Sequence, residues 1–354
     1  MLIEKDIPID NLHNYRNLNE KTLCFDIETT GLNRKFSHIT VIGTGYIKGS
    51  CIKFRQWMLE RPSDEKNLLA EFSDYLKSFD SLLQFNGNAF DIPYVAERCR
   101  QNLLPDPFSH MHHIDLYKNA KRLKKVLNLD NCKQKSFEKL FNIQRKDIIS
   151  GRDCIYAYND YLKYKDVNAL NALLLHNEED VTGLLRLNSL CSFDNIENSL
   201  IPSSIRLISV NDCQYDISFM LSDTLPFEIN TSDISYELKL SDNKGQLLLN
   251  GVNDTKKYFF VNYKDYFYLP LEDTAIHKSV GIYVDSDHRC KATRETCYEK
   301  STDTFFFEPS GILTPAFKDN SRSKELWFNK KSLEAANNEH LFQLLQSYLS
   351  YIFG

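Results

Sequence analysis

The chain has 354 residues, of which 42% are hydrophobic, 26% charged and 12% aromatic. This composition is typical of a folded globular protein and excludes collagen-like, coiled-coil and disordered chains. The formal net charge of −5 is unevenly distributed. Residues 1–190 carry 27 Lys and Arg against 25 Asp and Glu, a net +2, whereas residues 191–354 carry 16 against 23, a net −7. The length predicts two domains, and the acidity belongs to the second.

The nine cysteines are scattered along the chain and contain no Cys-x-x-Cys pair. Cys290 and Cys297, with His277 and His288 nearby, match no zinc-binding spacing. These features predict reduced thiols without a zinc site. The first residues lack a basic region followed by an apolar run, and no apolar run approaches the ~20 residues of a membrane span. We therefore expect a cytoplasmic chain with no membrane partner.

Strand-like and helix-like segments alternate in the first half of the chain. In chain order, the pattern predicts a strand over 22–27, strands over 38–46 and 50–58, a helix over 65–79, a strand over 81–85, a helix over 92–101 and a strand over 114–116. Further helices are predicted up to about residue 191. Strands interleaved with helices indicate an α/β sheet domain.

The second half has a different texture. Residues 203–283 contain short runs of β-branched and aromatic residues separated by turn-forming pairs, which predicts an antiparallel meander with strands over 236–240, 245–249 and 258–261. Residues 332–353 are predicted to form a terminal amphipathic helix. The pattern is interrupted near residues 192–204, so we expect domains over 1–192 and 204–354, the second smaller and β-rich.

The strongest chemical signal is the stretch Phe25-Asp26-Ile27-Glu28-Thr29 at the end of the first predicted strand. Side chains two residues apart in a strand point to the same face, so Asp26 and Glu28 are presented together. Two carboxylates at the end of a buried strand repel each other unless a cation compensates them, and Mg²⁺ or Mn²⁺ prefers such oxygen ligands. A solvated strand end is the alternative for an isolated pair of this kind.

Two further elements carry acidic residues in helical contexts. Asp91 follows a strand and a turn and begins a helix, where the helix macrodipole alone also favours a carboxylate. His176 and Asp180 are four residues apart in a helical pattern and therefore lie on one face. Most such pairs are surface pairs, but apolar neighbours predict that this helix is largely buried. A buried carboxylate needs a partner.

These three elements, in this order, resemble the Exo I, Exo II and Exo III motifs of the DEDD superfamily of 3′–5′ exonucleases, which have the ribonuclease H-like fold. The stretches His113-Ile114-Asp115-Leu116, Ser150-Gly151 and His176-Asn177-x-x-Asp180-Val181, with the basic segment between them, resemble the YprB-like branch. The resemblance covers about residues 20–190. It implies an α/β fold with a mixed sheet flanked by helices in the first domain.

The resemblance also implies roles for individual residues. Asp26, Glu28, Asp91 and Asp180 would bind two Mg²⁺ or Mn²⁺ ions, and His176 would be the general base. His176 precedes Asp180 by four positions, the spacing at which one subgroup carries tyrosine, and not by five as in the histidine subgroup. Two ions about 3.5–4 Å apart would stabilise charge on the attacking and leaving oxygens of a phosphodiester.

Residues around these motifs are candidates for contacting a nucleic acid. Thr29, Asn86 and Phe90 are placed to contact the terminal nucleotide, although Phe90 is equally compatible with the core. Residues 118–146 contain ten Lys and Arg against two acids, a net +8. We expect this run to follow substrate phosphates, with a solvated helical face as the alternative, and its leading members are Lys121, Arg122, Lys124 and Lys125.

The sequence thus predicts a metal-dependent 3′–5′ exonuclease acting on DNA or RNA at a single strand or 3′ end. The alternatives are a structure-selective endonuclease on the same fold and a catalytically weak nucleic-acid-binding or scaffold protein. The acidic C-terminal domain is predicted to position substrate ends or to contact a protein partner.

Overall fold

The computed structural model describes residues 1–9, 15 and 18–354. The described residues divide into two compact units, Met1–Asp194 and Asn195–Gly354. The division falls inside the segment 192–204, where the sequence pattern is interrupted. The roles assigned above to the two domains stay predictions.

A mixed sheet forms the centre of the first unit. Within the described residues its strands are β1 (Leu2–Pro8), β2 (Thr22–Thr29), β3 (Ile39–Lys48), β4 (Cys51–Met58), β5 (Ser81–Gln84) and β6 (His112–Asp115). Their order across the sheet is β1-β4-β3-β2-β5-β6. The pairs β1–β4, β4–β3 and β3–β2 are antiparallel, whereas β5 and β6 run parallel to β2. The predicted mixed sheet is confirmed, and β2 lies near its centre.

Helices cover both faces of this sheet. They are α1 (Glu65–Leu76), α2 (Asp91–Gln101), α3 (Tyr117–Val126), α4 (Gln134–Leu140), α5 (Gly151–Tyr164) and α6 (Val167–Arg186). Phe25 and Ile27 of β2 pack in one core with residues of α1 and α2. Because side chains alternate along a strand, Asp26 and Glu28 emerge on the opposite face, towards α6.

The second unit is β-rich, as predicted. A sheet of order β7-β8-β11-β10-β9 is built from β7 (Arg206–Asn211), β8 (Gln214–Met220), β9 (Ile229–Asp233), β10 (Tyr236–Ser241) and β11 (Lys244–Asn250). Two smaller sheets follow, with strands β12 (Val252–Phe259), β13 (Tyr266–Leu269), β14 (Thr274–His277), β15 (Cys290–Lys291), β16 (Tyr298–Glu308) and β17 (Leu326–Asn329). Its helices are α7 (Lys278–Gly281), α8 (Lys330–Glu334) and α9 (Asn338–Phe353).

Three predictions of elements were wrong or incomplete. Strand β1 was not expected, because it lies at the sheet edge with mostly exposed side chains and carries little apolar alternation. The strand predicted over 258–261 begins at Val252 and ends at Phe259. The terminal helix is interrupted after α8, and α9 starts where the Asn337 side chain accepts a hydrogen bond from the N–H of His340 (2.9 Å).

In the part of the chain that the structure describes, no helix has both the length and the apolar character needed to cross a membrane. The cytoplasmic location stays a prediction.

Candidate active site

Asp26 and Glu28 lie at the C-terminal end of β2, on the face covered by α6. The Asp26 carboxylate accepts a hydrogen bond from Nδ2 of Asn177 (2.9 Å), which also donates to the Asp26 carbonyl (3.2 Å). Glu28 is only 8% exposed. Strand alternation therefore brings the half-buried Asp26 and the buried Glu28 to the same face, and Asn177 fixes the carboxylate of Asp26.

Helix α6 reaches this position because β3 carries glycine opposite it. A Cβ atom at Gly43 would lie 2.1 Å from Oδ1 of Asn177 and 3.0 Å from Cγ2 of Val181. The same Oδ1 accepts a hydrogen bond from Nε2 of Gln56 (2.8 Å). The absence of a side chain at Gly43 thus permits the close approach of helix and sheet that presents the polar face of α6 to β2.

The structure brings Asp26, Glu28 and Asp180 together, with carboxylate oxygens of all three within 4.8 Å of one another. His176, one helical turn before Asp180, faces the same point. Its Nε2 atom is 3.4 Å from an Asp180 oxygen and 3.6 Å from a Glu28 oxygen. This arrangement of oxygen donors suits a hard divalent cation.

Asp91 is the first residue of α2 and stands outside that trio. Its carboxylate accepts hydrogen bonds from the backbone N–H groups of Ile27 and of Asp91 itself. Burial, helped by the charges of Asp180 and Asp115, raises the pKa of Asp91 to about 7. Its charge in turn raises the pKa values of Asp26 and Glu28, so the four acids form one electrostatic unit.

Burial is the main cause that raises the pKa values of Asp26 and Glu28 well above those of free carboxyl groups, and the charge of Asp180 adds to it. Each acid therefore resists ionisation as long as nothing positive compensates the others. A bound cation would reverse this, because the ionised carboxylates would then be stabilised by its charge.

Asp147 is a residue of this site that the sequence analysis missed. It is 1% exposed at its side chain, and an oxygen of its carboxylate lies 2.8 Å from Nδ1 of His176 and 3.0 Å from Nζ of Lys135. Burial opposes its ionisation, but the hydrogen bonds from Lys135 and from the N–H of Ile149, with the charge of His176, outweigh this and lower the pKa of Asp147. Asp147 is therefore an ionised acceptor that orients the imidazole ring.

Arg145 was also missed as part of the site. Its Nη1 atom is 2.5 Å from an oxygen of Asp180, and its Nε and Nη2 atoms donate to both oxygens of the buried Glu138 (2.5 and 2.6 Å). The expectation that residues 118–146 serve as a uniform phosphate-binding run is therefore wrong for Arg145, whose side chain is only 10% exposed. No local pattern in the sequence shows that this loop folds back onto α6.

The predicted substrate contacts are distributed around the acids. Thr29 is buried and donates a hydrogen bond to the carbonyl of Gly31 (3.0 Å). Asn86 is exposed with a φ of +62°, and its N–H donates to Oδ1 of Asp115 (2.8 Å). Phe90 is half-buried, with its ring 5.2 Å from that of Tyr94. Their contact with a substrate stays a prediction.

The four residues predicted to contact phosphates all lie on helix α3. Among the described residues none of the four is in an ion pair, and Leu123 between them is buried, so their polar ends are turned away from the core. Lys121 lies over the ring of Tyr117, with Nζ 4.9 Å from its centre. The set consists of Lys121, Arg122, Lys124 and Lys125.

Comparison with known proteins gives related sequences for the first unit. Residues 23–191 match the family model described as RNase_H superfamily. The uncharacterised protein YprB of Bacillus subtilis (strain 168) is 31% identical over 170 residues, which is 46% of this chain and 40% of YprB. The similarity is thus confined to less than half of each protein.

Several solved structures are similar at low identity. The family B DNA polymerase of Pyrobaculum calidifontis has a TM-score of 0.42 and 18% identity, covering 50% of this chain and 25% of the polymerase. E. coli exonuclease I in complex with a dT13 oligonucleotide has a TM-score of 0.34 and 12% identity, covering 94% of this chain and 74% of the exonuclease. Brucella melitensis NrnC with bound Mg²⁺ has a TM-score of 0.23 and 17% identity, covering 53% of this chain and 90% of NrnC.

All three TM-scores lie below 0.5, so the assignment of the fold rests on the family match and on the strand order. The first unit therefore has an RNase H-like fold, and residues 23–191 are similar in sequence to the RNase H superfamily and, in part, to YprB.

Proposed function

We propose that the protein is a divalent-metal-dependent nuclease that removes nucleotides from the 3′ end of a DNA or RNA strand. The observation that carries this proposal is the convergence of Asp26, Glu28, Asp180 and His176 at one point, where Glu28 and His176 are buried and the charge of Asp91 acts on the other acids. The resemblance of the same residues to the DEDD motifs supports it.

The charge of the site supports two divalent cations. Two further acids near the site, Glu138 on α4 and Asp147 on the loop after it, are paired with Arg145 and Lys135 respectively. Once ionised, the four predicted metal ligands carry four negative charges, and Arg145, which also contacts Asp180, is already paired with Glu138. Two divalent cations, Mg²⁺ or Mn²⁺, would neutralise that charge and would stabilise the developing charge on the attacking and leaving oxygens.

His176 supplies the proton acceptor. In the neutral form of the ring the proton is on Nδ1, because Nδ1 faces the carboxylate of Asp147, and the lone pair of Nε2 is directed at Glu28 and Asp180. A water molecule held between Nε2 and these acids would attack the phosphorus and pass a proton to Nε2. The P–O3′ bond breaks, the 3′ oxygen of the shortened strand takes up a proton, and a 5′-monophosphate leaves.

A cavity at the start of α2, the helix that begins with Asp91, supports action at a strand end. It has a volume of about 400 Å³ and lies between the loop after β2 and the start of α2. The rim is held in place because the Tyr94 hydroxyl donates to the Gly31 carbonyl (2.8 Å). A cavity of this size suits one nucleobase, and its lining combines two aromatic rings and two aliphatic side chains with two polar ones. The lining residues are Leu32, Asn33, Arg34, Ala89, Phe90 and Tyr94.

The direct test uses oligonucleotides labelled at the 5′ end, as DNA and as RNA, with Mg²⁺ or Mn²⁺. We expect a ladder of products shortened from the 3′ end, and we expect Asp26→Asn to reduce the rate by more than about 100-fold, because it removes a ligand charge. Asp74→Asn is the matched control, since Asp74 on α1 is exposed and, among the described residues, forms an ion pair with Lys77 alone. Equal inactivity of wild type and Asp26→Asn on all four combinations contradicts the proposal.

A closed circular single strand separates the proposal from its endonuclease alternative. An exonuclease leaves the circle intact, whereas an endonuclease linearises it with the same dependence on Asp26. Titration of the metal-free protein with Mn²⁺ separates both from a scaffold role. We expect two ions per chain for wild type and weaker binding for Asp26→Asn.

A further inference from the structure

A cysteine lies directly in the candidate active site. Cys154 is on α5 and is only 1% exposed. Ligand atoms of Glu28, Cys154 and His176 all lie within 4.8 Å of one another. Asp180 is not part of this group of three, but one of its oxygens lies 3.4 Å from Nε2 of His176.

This second set of donors differs chemically from the first. Asp26, Glu28 and Asp180 offer only carboxylate oxygens, which suit Mg²⁺ and Mn²⁺. Sulfur, imidazole nitrogen and one carboxylate together are the ligands of zinc, and three protein ligands with a free fourth position form a common zinc geometry. His176 is already oriented for this role, because Asp147 holds its Nδ1 and leaves Nε2 towards Glu28.

Cys154 differs from the other described cysteines because its sulfur lies beside a histidine and a carboxylate. Buried cysteines usually serve as small apolar core residues. Cys24, on the same face of β2 as Asp26, has its sulfur 3.5 Å from the carbonyl oxygen of Val181 and belongs to no such group of ligands. In the described part of the chain, Cys154 is the only cysteine whose sulfur lies with a histidine and an acid at metal-binding distances.

We propose that Glu28, Cys154 and His176 form a site for zinc and similar soft divalent cations, which excludes the magnesium arrangement and inhibits the enzyme. The two sites exclude each other because they share Glu28 and because zinc takes up the Nε2 lone pair of His176. The inhibition rests on the proposed nuclease function, whereas the binding of zinc does not.

The environment of Cys154 favours selectivity. The thiol of Cys154 carries a proton, and its sulfur is a soft ligand that Mg²⁺, which prefers oxygen, does not take up. A cation with high thiolate affinity displaces this proton to solvent on binding. The result is one mixed-ligand site that responds to zinc, cobalt or cadmium and not to magnesium.

Cobalt provides the test of binding. The full-length metal-free protein is titrated with Co²⁺, and we expect a thiolate-to-cobalt charge-transfer band in the near ultraviolet that saturates at one equivalent and is bleached by Zn²⁺. Cys154→Ser should abolish the band. Cys99→Ser is the matched control, because Cys99 is equally buried in the same unit but lies in the α1–α2 core.

X-ray absorption at the zinc edge of the wild-type protein gives a second measurement that needs no variant. We expect one sulfur scatterer at about 2.3 Å with lighter N/O ligands. Cobalt binding without a charge-transfer band, a band that survives in Cys154→Ser, or a zinc shell without sulfur overturns the proposal.

Inhibition is measured as the fraction of each variant's own zinc-free rate, with Mg²⁺ in excess. We expect Cys154→Ser to need more than about tenfold more zinc for half-inhibition, since even residues that only support a ligand change metal affinity by roughly 10- to 100-fold. Equal zinc sensitivity of wild type and Cys154→Ser contradicts the inhibitory role. If no variant has nuclease activity, the cobalt band still decides whether the site exists.

Discussion

The imidazole of His176 is held through Nδ1 by the ionised Asp147, and this contact determines what the ring can do. Asp147→Asn tests it. An asparagine NH₂ group facing Nδ1 donates a hydrogen bond, whereas the Asp147 carboxylate accepts one. The ring proton therefore moves to Nε2, and the lone pair that would accept a proton from water is lost. We expect kcat to fall by roughly 10²–10⁴-fold, with a much smaller change in KM.

The tautomer itself can be observed. In the metal-free protein, ¹⁵N chemical shifts of His176, assigned with His176→Gln, should show a protonated Nδ1 in wild type and a protonated Nε2 in Asp147→Asn. Asp160→Asn is the control, because Asp160 is exposed on α5. An unchanged tautomer together with an unchanged kcat would remove Asp147 from the mechanism.

At the scale of residues, the sequence predicts which acids share a face but not the residues that hold them in place. The common face of Asp26 and Glu28 could be predicted because side chains alternate along a strand. That of His176 and Asp180 could be predicted because residues four apart lie on one side of a helix. Asp147 and Arg145 come from a loop, where no period fixes the direction of a side chain. Their role depends on a long-range contact with α6 that no local pattern encodes.

At the scale of elements, the close packing of α6 against β3 determines the position of Asn177 and hence of Asp26. Gly43→Ala tests it, since the added methyl group would lie 2.1 Å from Oδ1 of Asn177, the residue that donates to Asp26. Either Asn177 moves or α6 shifts outward. We expect a loss of about 1–3 kcal/mol in the free energy of unfolding and weaker Mn²⁺ binding.

Urea denaturation and calorimetric titration with Mn²⁺ measure these two effects. Gly151→Ala is the control, because a Cβ atom at Gly151 meets nothing within 4 Å. We expect that control to keep wild-type stability and metal affinity. If Gly43→Ala binds Mn²⁺ as wild type does, the glycine is needed only for packing and not for the position of Asp26.

The elements themselves were predicted well where burial is one-sided or complete. The central strands and α1 and α2 have strong apolar periods because they contact the core. The edge strand β1 and the break between α8 and α9 were not predicted. An exposed edge needs little apolar pattern, and the break depends on a cap by Asn337 that interrupts an otherwise continuous amphipathic sequence.

The net charge of the whole molecule is negative, but the first unit differs from it in sign. Assigning four acids to metal ions leaves residues 1–190 with 27 basic against 21 acidic residues, a net +6. The sequence therefore predicts the sign of the field around the first unit. It does not predict that Arg145 and Lys135 are used internally against Glu138 and Asp147, because those pairs form only in the folded chain.

The buried acids also make the stability of the whole molecule depend on pH in a direction opposite to that of ordinary salt-bridged carboxylates. Asp91 has a pKa of about 7 in the folded metal-free chain, against 3.8 for a free group. A group with a raised pKa binds its proton more tightly when folded, so the stability that it contributes is present below about pH 4 and is lost as the pH rises through about 7. Asp26 and Glu28 shift in the same direction.

We therefore expect the melting temperature in EDTA to be higher at about pH 5 than at about pH 8, and the increase produced by Mg²⁺ to be larger at about pH 8, where the ligands ionise readily. Scanning calorimetry at both pH values, with EDTA and with Mg²⁺, measures this. Asp91→Asn removes one of the titrating groups and should reduce the difference between the two Mg²⁺ increments. Increments that are equal at both pH values, or larger at the lower one, would show that these carboxyl groups do not hold the cation, since protons and metal then fail to compete.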